Sequence, residues 1–384
     1  MRVAIIGGGL AGCAAAYVLK RAGLTPVIYE AAPELAAGAS GNALGLYNPR
    51  LSAHYSSEAQ YYDYGFQKAR EVFRSLCHPE RLSFVIPNEC EGSSSYKIKR
   101  RSLVSGTPRD DNSEGQQDDN IIDYNPCGAL HLVTDEKKEK RFRQMKENWP
   151  WSEGGMRWCS AAEASALAGV EIPHEALYLA SSGFVSPREL CAAYTQGVEV
   201  CLNTRIETLE ELDADAVILA CAAGVNDFAP ELPLQTIRGQ VTYVRSSGVL
   251  AKLKTCLCYG GYTAPAHEGV HMVGSTFQRW LDHTDILPED DRANIEGLAA
   301  AVPALAGDYE VTGQRVALRT ASRDQFPVVG ALPGRDNVYA SAAHGSHGII
   351  SSLAAAYYLH DLVLARVPAL SREAIDLLNP ARFL

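Results

Sequence analysis

The 384-residue chain has no apolar run near the roughly 18 residues that crossing a bilayer requires, so no membrane span is expected. Its opening run, Val3-Ala4-Ile5-Ile6, is too short for the core of a secretory signal and passes straight into glycines. The ten cysteines (Cys13, Cys77, Cys90, Cys127, Cys159, Cys191, Cys201, Cys221, Cys256, Cys258) form no spaced framework. They read as reduced, buried thiols of a cytoplasmic protein. Cys256-x-Cys258 and His344-x-x-His347 lack a second ligand pair at zinc spacing, so no metal is expected. No G-x-S-x-G elbow occurs, which removes the commonest serine hydrolase. Positive charge is in deficit: 35 Lys and Arg against 45 Asp and Glu leave a net charge of −10. That argues against a generally basic nucleic-acid binder but leaves room for a local basic patch. Hydrophobic residues, at 47%, suffice for one large domain or two ordinary ones.

What is present is clearest in the first thirty residues. Val3-Ala4-Ile5-Ile6 suits a buried parallel strand. Gly7-Gly8-Gly9-Leu10-Ala11-Gly12 follows, then an Ala-rich stretch that predicts a helix up to Gly23, and Pro26-Val27-Ile28-Tyr29-Glu30 predicts the next strand. Gly7, Gly9 and Gly12 fit G-x-G-x-x-G, and Glu30 stands about 20 residues beyond, as a dinucleotide fingerprint requires. Gly7 permits the tight turn, Gly9 lets backbone approach a pyrophosphate, and Gly12 lets helix and strand pack closely. The helix start offers N–H groups to the phosphates, and Glu30 accepts hydrogen bonds from a ribose diol.

The glycine fingerprint alone does not separate NAD from FAD. Three further segments favour a flavin. Gly38-Ala39-Ser40-Gly41-Asn42 is a small-residue turn able to reach the same pyrophosphate. Asp215-Ala216-Val217-Ile218-Leu219-Ala220 predicts a buried strand ending in Cys221-Ala222-Ala223-Gly224, small residues that let adenosine lie against backbone. Near the other chain end, Asn337-Val338-Tyr339-Ala340-Ser341 leads through a glycine turn into a helix spanning 352–365. That turn is placed to face the flavin ring, where a helix dipole favours the negative charge of reduction. The cofactor-binding residues expected are Gly7, Gly9, Leu10, Ala11, Gly12 and Glu30, then Ala39, Ser40, Gly41 and Asn42. To these are added Ile206, Ala220, Cys221, Ala222 and Gly224, and Gly345, Ser346, His347, Gly348 and Ile349.

Elsewhere, alternating stretches between Gln240 and Phe277 predict an antiparallel sheet distinct from the nucleotide core. The fold class expected is α/β: a doubly wound, Rossmann-like FAD-binding domain with a second α+β substrate domain built on an antiparallel sheet. The discontinuous FAD domain is expected to comprise 1–70, 180–230 and 315–384, and the substrate domain 71–179 and 231–314. A polar tract, 91–125, has little to bury and reads as a mobile insertion.

At these segments the sequence resembles the FAD-dependent amine oxidoreductases of the D-amino-acid oxidase and glycine oxidase superfamily. Within it, the chain is most similar to the flavin-dependent half of the bifunctional enzymes that modify the tRNA wobble uridine. The resemblance is carried by GASGNALGLYNPRLS at 38–52, IRGQVTYV at 237–244 and LRTASRDQFPVVGALP at 318–333. HGSHGIISSLAAAYYL at 344–359 and LNPARF at 378–383 complete it. It implies non-covalent FAD, since no cysteine lies within 315–329 where some relatives bond the flavin. Because the chain opens at the flavin fingerprint, the resemblance implies the flavin step alone. That step converts 5-carboxymethylaminomethyl-(2-thio)uridine to 5-aminomethyl-(2-thio)uridine with release of glyoxylate. Molecular oxygen or another acceptor then takes the electrons.

Oxidising a glycine-like secondary amine needs a carboxylate anchor, and Arg319 is the candidate. Its guanidinium fork matches a carboxylate, and it stands where glycine oxidases carry their carboxylate-binding arginine. Tyr259 and Tyr262 are candidates for a phenol near the amine, or for core aromatics, and His347 for a group bonding flavin or substrate. Arg238 either orients substrate or supports the sheet, the second being favoured. Tyr47 and His54 are weaker candidates. A tRNA substrate would meet Lys97, Lys99, Arg100 and Arg101, or Lys137, Lys138, Lys140, Arg141 and Arg143 on a predicted helix. Two other readings stay open: an oxidase of glycine, sarcosine or a D-amino acid, and a flavin-binding subunit that only organises a complex.

Overall fold

In the computed structural model, which describes residues 1–77 and 122–384, the first strand, Arg2–Ile6, is central to a six-stranded sheet. Cys90, the cluster Lys97, Lys99, Arg100 and Arg101, and all of the expected insertion except 122–125 lie outside the described residues. Arg2–Ile6 pairs in parallel with Thr25–Tyr29 on one side and Ala216–Leu219 on the other, Ile5 lying opposite both Ile28 and Ile218. Glu199–Cys201 extends one edge, and Val338–Ala342 then Val328–Ala331 extend the other, the last pair antiparallel. Since the chain first winds one way from Arg2–Ile6 and later fills the opposite side, a switch point falls between it and Ala216–Leu219. A doubly wound sheet opens its ligand crevice at the carboxyl ends of such strands. Gly7 and Ala220 stand there, Ala220 N–H donating to the Ile6 carbonyl at 2.8 Å.

Helices cover one face of this sheet. Leu10–Arg21 turns Leu10, Cys13, Ala14 and Val18 inward, and its small residues let Gly348–Val363 pack beside it. Ser57–Cys77 closes the layer with Tyr61, Tyr62, Phe66 and Phe73. The helix expected at 352–365 begins at Gly348, which brings the glycine turn directly onto its first turn.

The second large sheet has eight strands, in the order Val311–Ser322, Leu234–Arg245, Val270–Gly274, Tyr262–Thr263, Cys256–Cys258, Ala129–Leu132, Ala176–Leu179 and Met156–Cys159. Every neighbouring pair is antiparallel except Cys256–Cys258 with Ala129–Leu132. The two twelve-residue strands, Leu234–Arg245 and Val311–Ser322, run paired along almost their full length. One face carries the helix Pro288–Ala301, and the other looks toward the crevice.

Candidate active site

The crevice continues into one cavity of about 740 Å³, lined by both large sheets and both glycine turns. Gly7, Gly9, Leu10, Ala11 and Glu30 line one part, with Ile206, Ala220, Cys221, Ala222 and Gly224 beside them. Glu30 accepts from Gly8 N–H at 2.6 Å through Oε2 and from Ala32 N–H at 2.8 Å through Oε1. Each oxygen keeps acceptor capacity for a ribose hydroxyl. Ala39, Ser40 and Asn42 line the cavity next to this start. Leu10 N–H, expected to be free for phosphate, donates instead to Ser40 Oγ at 2.9 Å.

Two expected cofactor glycines act one step back from the cavity. A Cβ on Gly12 would lie 1.9 Å from the Gly7 carbonyl oxygen, so Gly12 closes helix onto strand and does not face the cavity. Gly41 is enclosed between the Ala36 carbonyl and the Arg315 guanidinium. Arg315, which the sequence reading missed, donates to the Ala37 and Gly38 carbonyls and, at 3.1 Å, to Asn42 Oδ1. It thereby staples the small-residue turn to the strand Val311–Ser322. The available signal was its spacing from Arg319, since residues i and i+4 of a strand share one face.

Gly345, Ser346, His347, Gly348 and Ile349 line the cavity. No side chain caps the start of Gly348–Val363, so its first N–H groups remain available to a ligand. A Cβ at Gly345 would meet nothing within 4 Å, which leaves open space before this turn. Burial, then the Arg50 charge, holds the His347 imidazole down at about 4, and its ring meets Tyr62 edge-on at 5.2 Å. His344 is likewise held at about 4 by burial, between Ser341 Oγ at 3.2 Å and Ser351 Oγ at 3.0 Å. Both rings are neutral at physiological pH.

Arg319 enters from the middle of Val311–Ser322 and donates to Ser275 Oγ. It forms no ion pair with any described residue. Burial lowers its pKa, yet a guanidinium stays protonated at physiological pH. Its room comes from Gly239 on the neighbouring strand, where a Cβ would lie 2.4 Å from the guanidinium. Tyr262 lines the same cavity, its phenol pushed well above the usual range by burial despite the opposing Arg319 charge, and so remains a hydrogen-bond donor. Ser275, Phe277 and His131 also line the cavity and carry no sequence motif that marks them. His131 is held at about 3 by burial and then by Arg141, and its Nε2 has no partner.

The structure takes several expected residues away from this cavity. Tyr259 is buried in the core with Leu298 and Val302, on the sheet face opposite Tyr262, because the intervening hairpin reverses which way the side chain points. Tyr47 packs among Phe66, Phe73 and Tyr124, and His54 is exposed outside the cavity. Arg238 is fully buried, paired with Asp290 and bonded to Gln278 Oε1 at 2.5 Å and to Gln240 Oε1 at 3.2 Å. It supports the sheet. On the helix Glu136–Asn148, Lys138 pairs with Asp135 and Arg143 with Glu139 and Glu175, leaving Lys137, Lys140 and Arg141 without an ion pair among the described residues. No described group of three His, Cys, Asp or Glu converges on a metal-sized site, and no described helix is long and apolar enough to cross a membrane.

An acidic ribose acceptor, glycine turns open to phosphate and an uncapped helix facing a cationic pocket fit FAD as the resident cofactor. Fold and cavity therefore define a flavin-dependent oxidoreductase. The chain belongs to the DAO family of FAD dependent oxidoreductases, whose model matches residues 2–362. It is therefore an FAD-dependent oxidoreductase. It is 26% identical over 402 residues to the tRNA 5-methylaminomethyl-2-thiouridine biosynthesis bifunctional protein MnmC of Idiomarina loihiensis, covering 99% of this chain and 58% of that protein. The MnmC of Pseudomonas fluorescens is 28% identical over 432 residues, covering 100% and 59%. The chain thus spans somewhat over half the length of these relatives and matches their oxidase half. Among solved structures, glycine oxidase from Geobacillus kaustophilus superposes with a TM-score of 0.75 at 20% identity, covering 98% of each chain. Iminodiacetate oxidase from Chelativorans sp. BNC1 gives 0.73 at 18% identity, covering 97% and 98%.

Proposed function

We propose that the protein removes the carboxymethyl group of 5-carboxymethylaminomethyl-(2-thio)uridine at the tRNA wobble position, giving 5-aminomethyl-(2-thio)uridine and glyoxylate. The observation that carries this reading is Arg319: a recessed cation, without a carboxylate partner among the described residues, in the cavity that fits the flavin. Such a guanidinium is complementary to the carboxylate of an N-substituted glycine. Arg319 binds that carboxylate and sets the carboxymethyl carbon toward the flavin. FAD, held non-covalently, would supply the acceptor for the hydride of that carbon. The amine nitrogen supplies its lone pair to the new C=N bond, and water then adds and splits it into the primary amine and glyoxylate. Tyr262, protonated beside Arg319, donates a hydrogen bond to substrate. His347, neutral and against Tyr62, fixes the turn at the flavin side and accepts from substrate or cofactor. Molecular oxygen or another acceptor reoxidises the flavin. On the helix Glu136–Asn148, Lys137, Lys140 and Arg141, without an ion pair among the described residues, meet RNA phosphate.

The tRNA substrate is supported by the MnmC relatives, whose similarity runs through nearly all of this chain. A second reading, an oxidase of glycine, sarcosine or a D-amino acid, is favoured by the glycine oxidase and iminodiacetate oxidase folds. One experiment separates them. Purified protein is mixed with tRNA from cells lacking the activity, and the nucleosides are analysed. Loss of the carboxymethyl group with glyoxylate release is expected. Rapid turnover of free glycine or sarcosine with inert tRNA would overturn the reading in favour of the second.

A further inference from the structure

Beyond the carboxylate anchor, the cavity opens past a turn whose side chains the reaction as described leaves unused. Phe277 both lines the cavity and is 46% exposed, so it stands at the lip. Its ring lies 6.0 Å from the Arg319 guanidinium and 5.5 Å from that of Arg279. Three residues on, Trp280 is 76% exposed, and Ile286 is 53% exposed in the same segment. Singly exposed apolar residues need no explanation, but two exposed aromatics three residues apart, the first of them lining a cavity, do.

This turn is held. Arg238 and Gln278 exchange both backbone hydrogen bonds, at 3.0 and 2.9 Å. The Gln278 side chain donates to Asp290 Oδ1 at 2.9 Å and accepts from Arg238. Residue 278 is therefore pinned to the buried ion pair, while its neighbours 277, 279 and 280 are turned outward. The turn's one cation, Arg279, lies against Phe277. Asp285 is engaged by His283 at 3.2 Å, and Asp282 adds a second negative charge. With no excess of positive charge, the turn is poorly suited to phosphate. Flat aromatic faces with an arginine beside them suit the π-face of an unpaired base.

We infer that Phe277 and Trp280 form a nucleobase platform at the mouth of the cavity. With the glycine-like carboxylate on Arg319, the ring carried by the amine leaves past Phe277 and packs against it, and Trp280 stacks on an adjacent unpaired base. This rests on the wobble-nucleoside reading and adds to it how the nucleoside is distinguished from a small amine.

The test compares FAD-loaded wild type, Trp280→Ala and Trp280→Phe. Glyoxylate release is measured from tRNA bearing 5-carboxymethylaminomethyluridine and from sarcosine, with retained flavin absorbance as the folding control. Trp280→Ala should raise the apparent KM for tRNA about tenfold or more, with kcat on tRNA and sarcosine turnover unchanged, and Trp280→Phe should restore most of it. Wild-type KM for tRNA in Trp280→Ala would overturn the platform and leave the wobble reading standing. Wild-type protein that oxidises sarcosine but leaves the tRNA intact would bring down the wobble reading, and the platform with it.

Discussion

Arg238 and Arg319 lie on adjacent strands one register step apart, Arg238 opposite Leu318 and Ile237 opposite Arg319, so the two guanidiniums point to opposite faces of one sheet. On one face Arg238 meets Asp290 and is neutralised. On the other, Arg319 meets only the Ser275 hydroxyl among its described hydrogen-bond partners. A buried cation without its anion costs desolvation free energy that a structural role does not explain, and in the proposed function a substrate carboxylate would supply the missing anion.

Replacing Arg319 with leucine should raise the apparent KM for any carboxylate-bearing amine by roughly 100-fold, the loss of a charge-assisted bidentate contact. Flavin content should be unchanged. Gly239→Ala should act in the same direction with Arg319 still present, because the added methyl takes the guanidinium's space. Steady-state kinetics on holoenzyme check both.

The glycines of the first turn should separate by phenotype. Gly12→Ala drives a methyl into the Gly7 carbonyl and should lower stability by several kcal/mol, about 3 or more, visible in denaturant unfolding. The methyl of Gly9→Ala meets only the Ser40 side chain, its Oγ at 3.1 Å. It should leave the unfolding midpoint of flavin-free protein nearly unchanged while weakening FAD binding, as followed by flavin fluorescence.

Asp290→Ala leaves Arg238 charged, buried and unpaired, and should cost about 3–5 kcal/mol in unfolding free energy. Asp290→Asn should cost less, since it keeps a hydrogen-bond acceptor. Urea titration distinguishes the two.

The neutral histidine beside the flavin turn should leave a mark on acid stability. His347 in the fold sits at about 4, below the ordinary value of about 6.5. Between those values the unfolded chain binds the proton and the folded chain does not, so stability falls as pH drops from 6.5 through 4. Relative to His347→Gln, wild type should lose roughly 3 kcal/mol across that window. Glu189, raised to about 7 chiefly by burial, has the opposite sign, its destabilisation growing as pH rises from 4.5 through 7, and cancels in the comparison. Equal pH slopes for the two proteins would remove the shift assigned to His347.

Much of the cofactor end was legible because its signals are local. Gly7, Gly9 and Glu30 occupy one βαβ unit, whose strand, turn and helix follow from apolar runs and glycine positions a few residues apart. The second glycine turn was legible for the same reason, although its helix starts four residues earlier than expected. Tyr259 and Tyr262 show where such reading stops. Both sit in one aromatic–glycine motif, but the hairpin sends one into a core and the other into the cavity. The single parallel pairing in the second sheet, Cys256–Cys258 with Ala129–Leu132, joins segments more than a hundred residues apart and had no sequence signal.

The sequence by itself determined the glycine turn after the first strand, the acidic residue that closes the second and the presence of a guanidinium in a strand, since each depends on neighbours along the chain. Only the tertiary structure decided that Arg319 would stand uncompensated while Arg238 is paired, that His347 would be neutral, and that Phe277 would stand at the lip. Charge compensation and desolvation depend on which distant groups share a site and how much water is left between them, and spacing along a chain records neither.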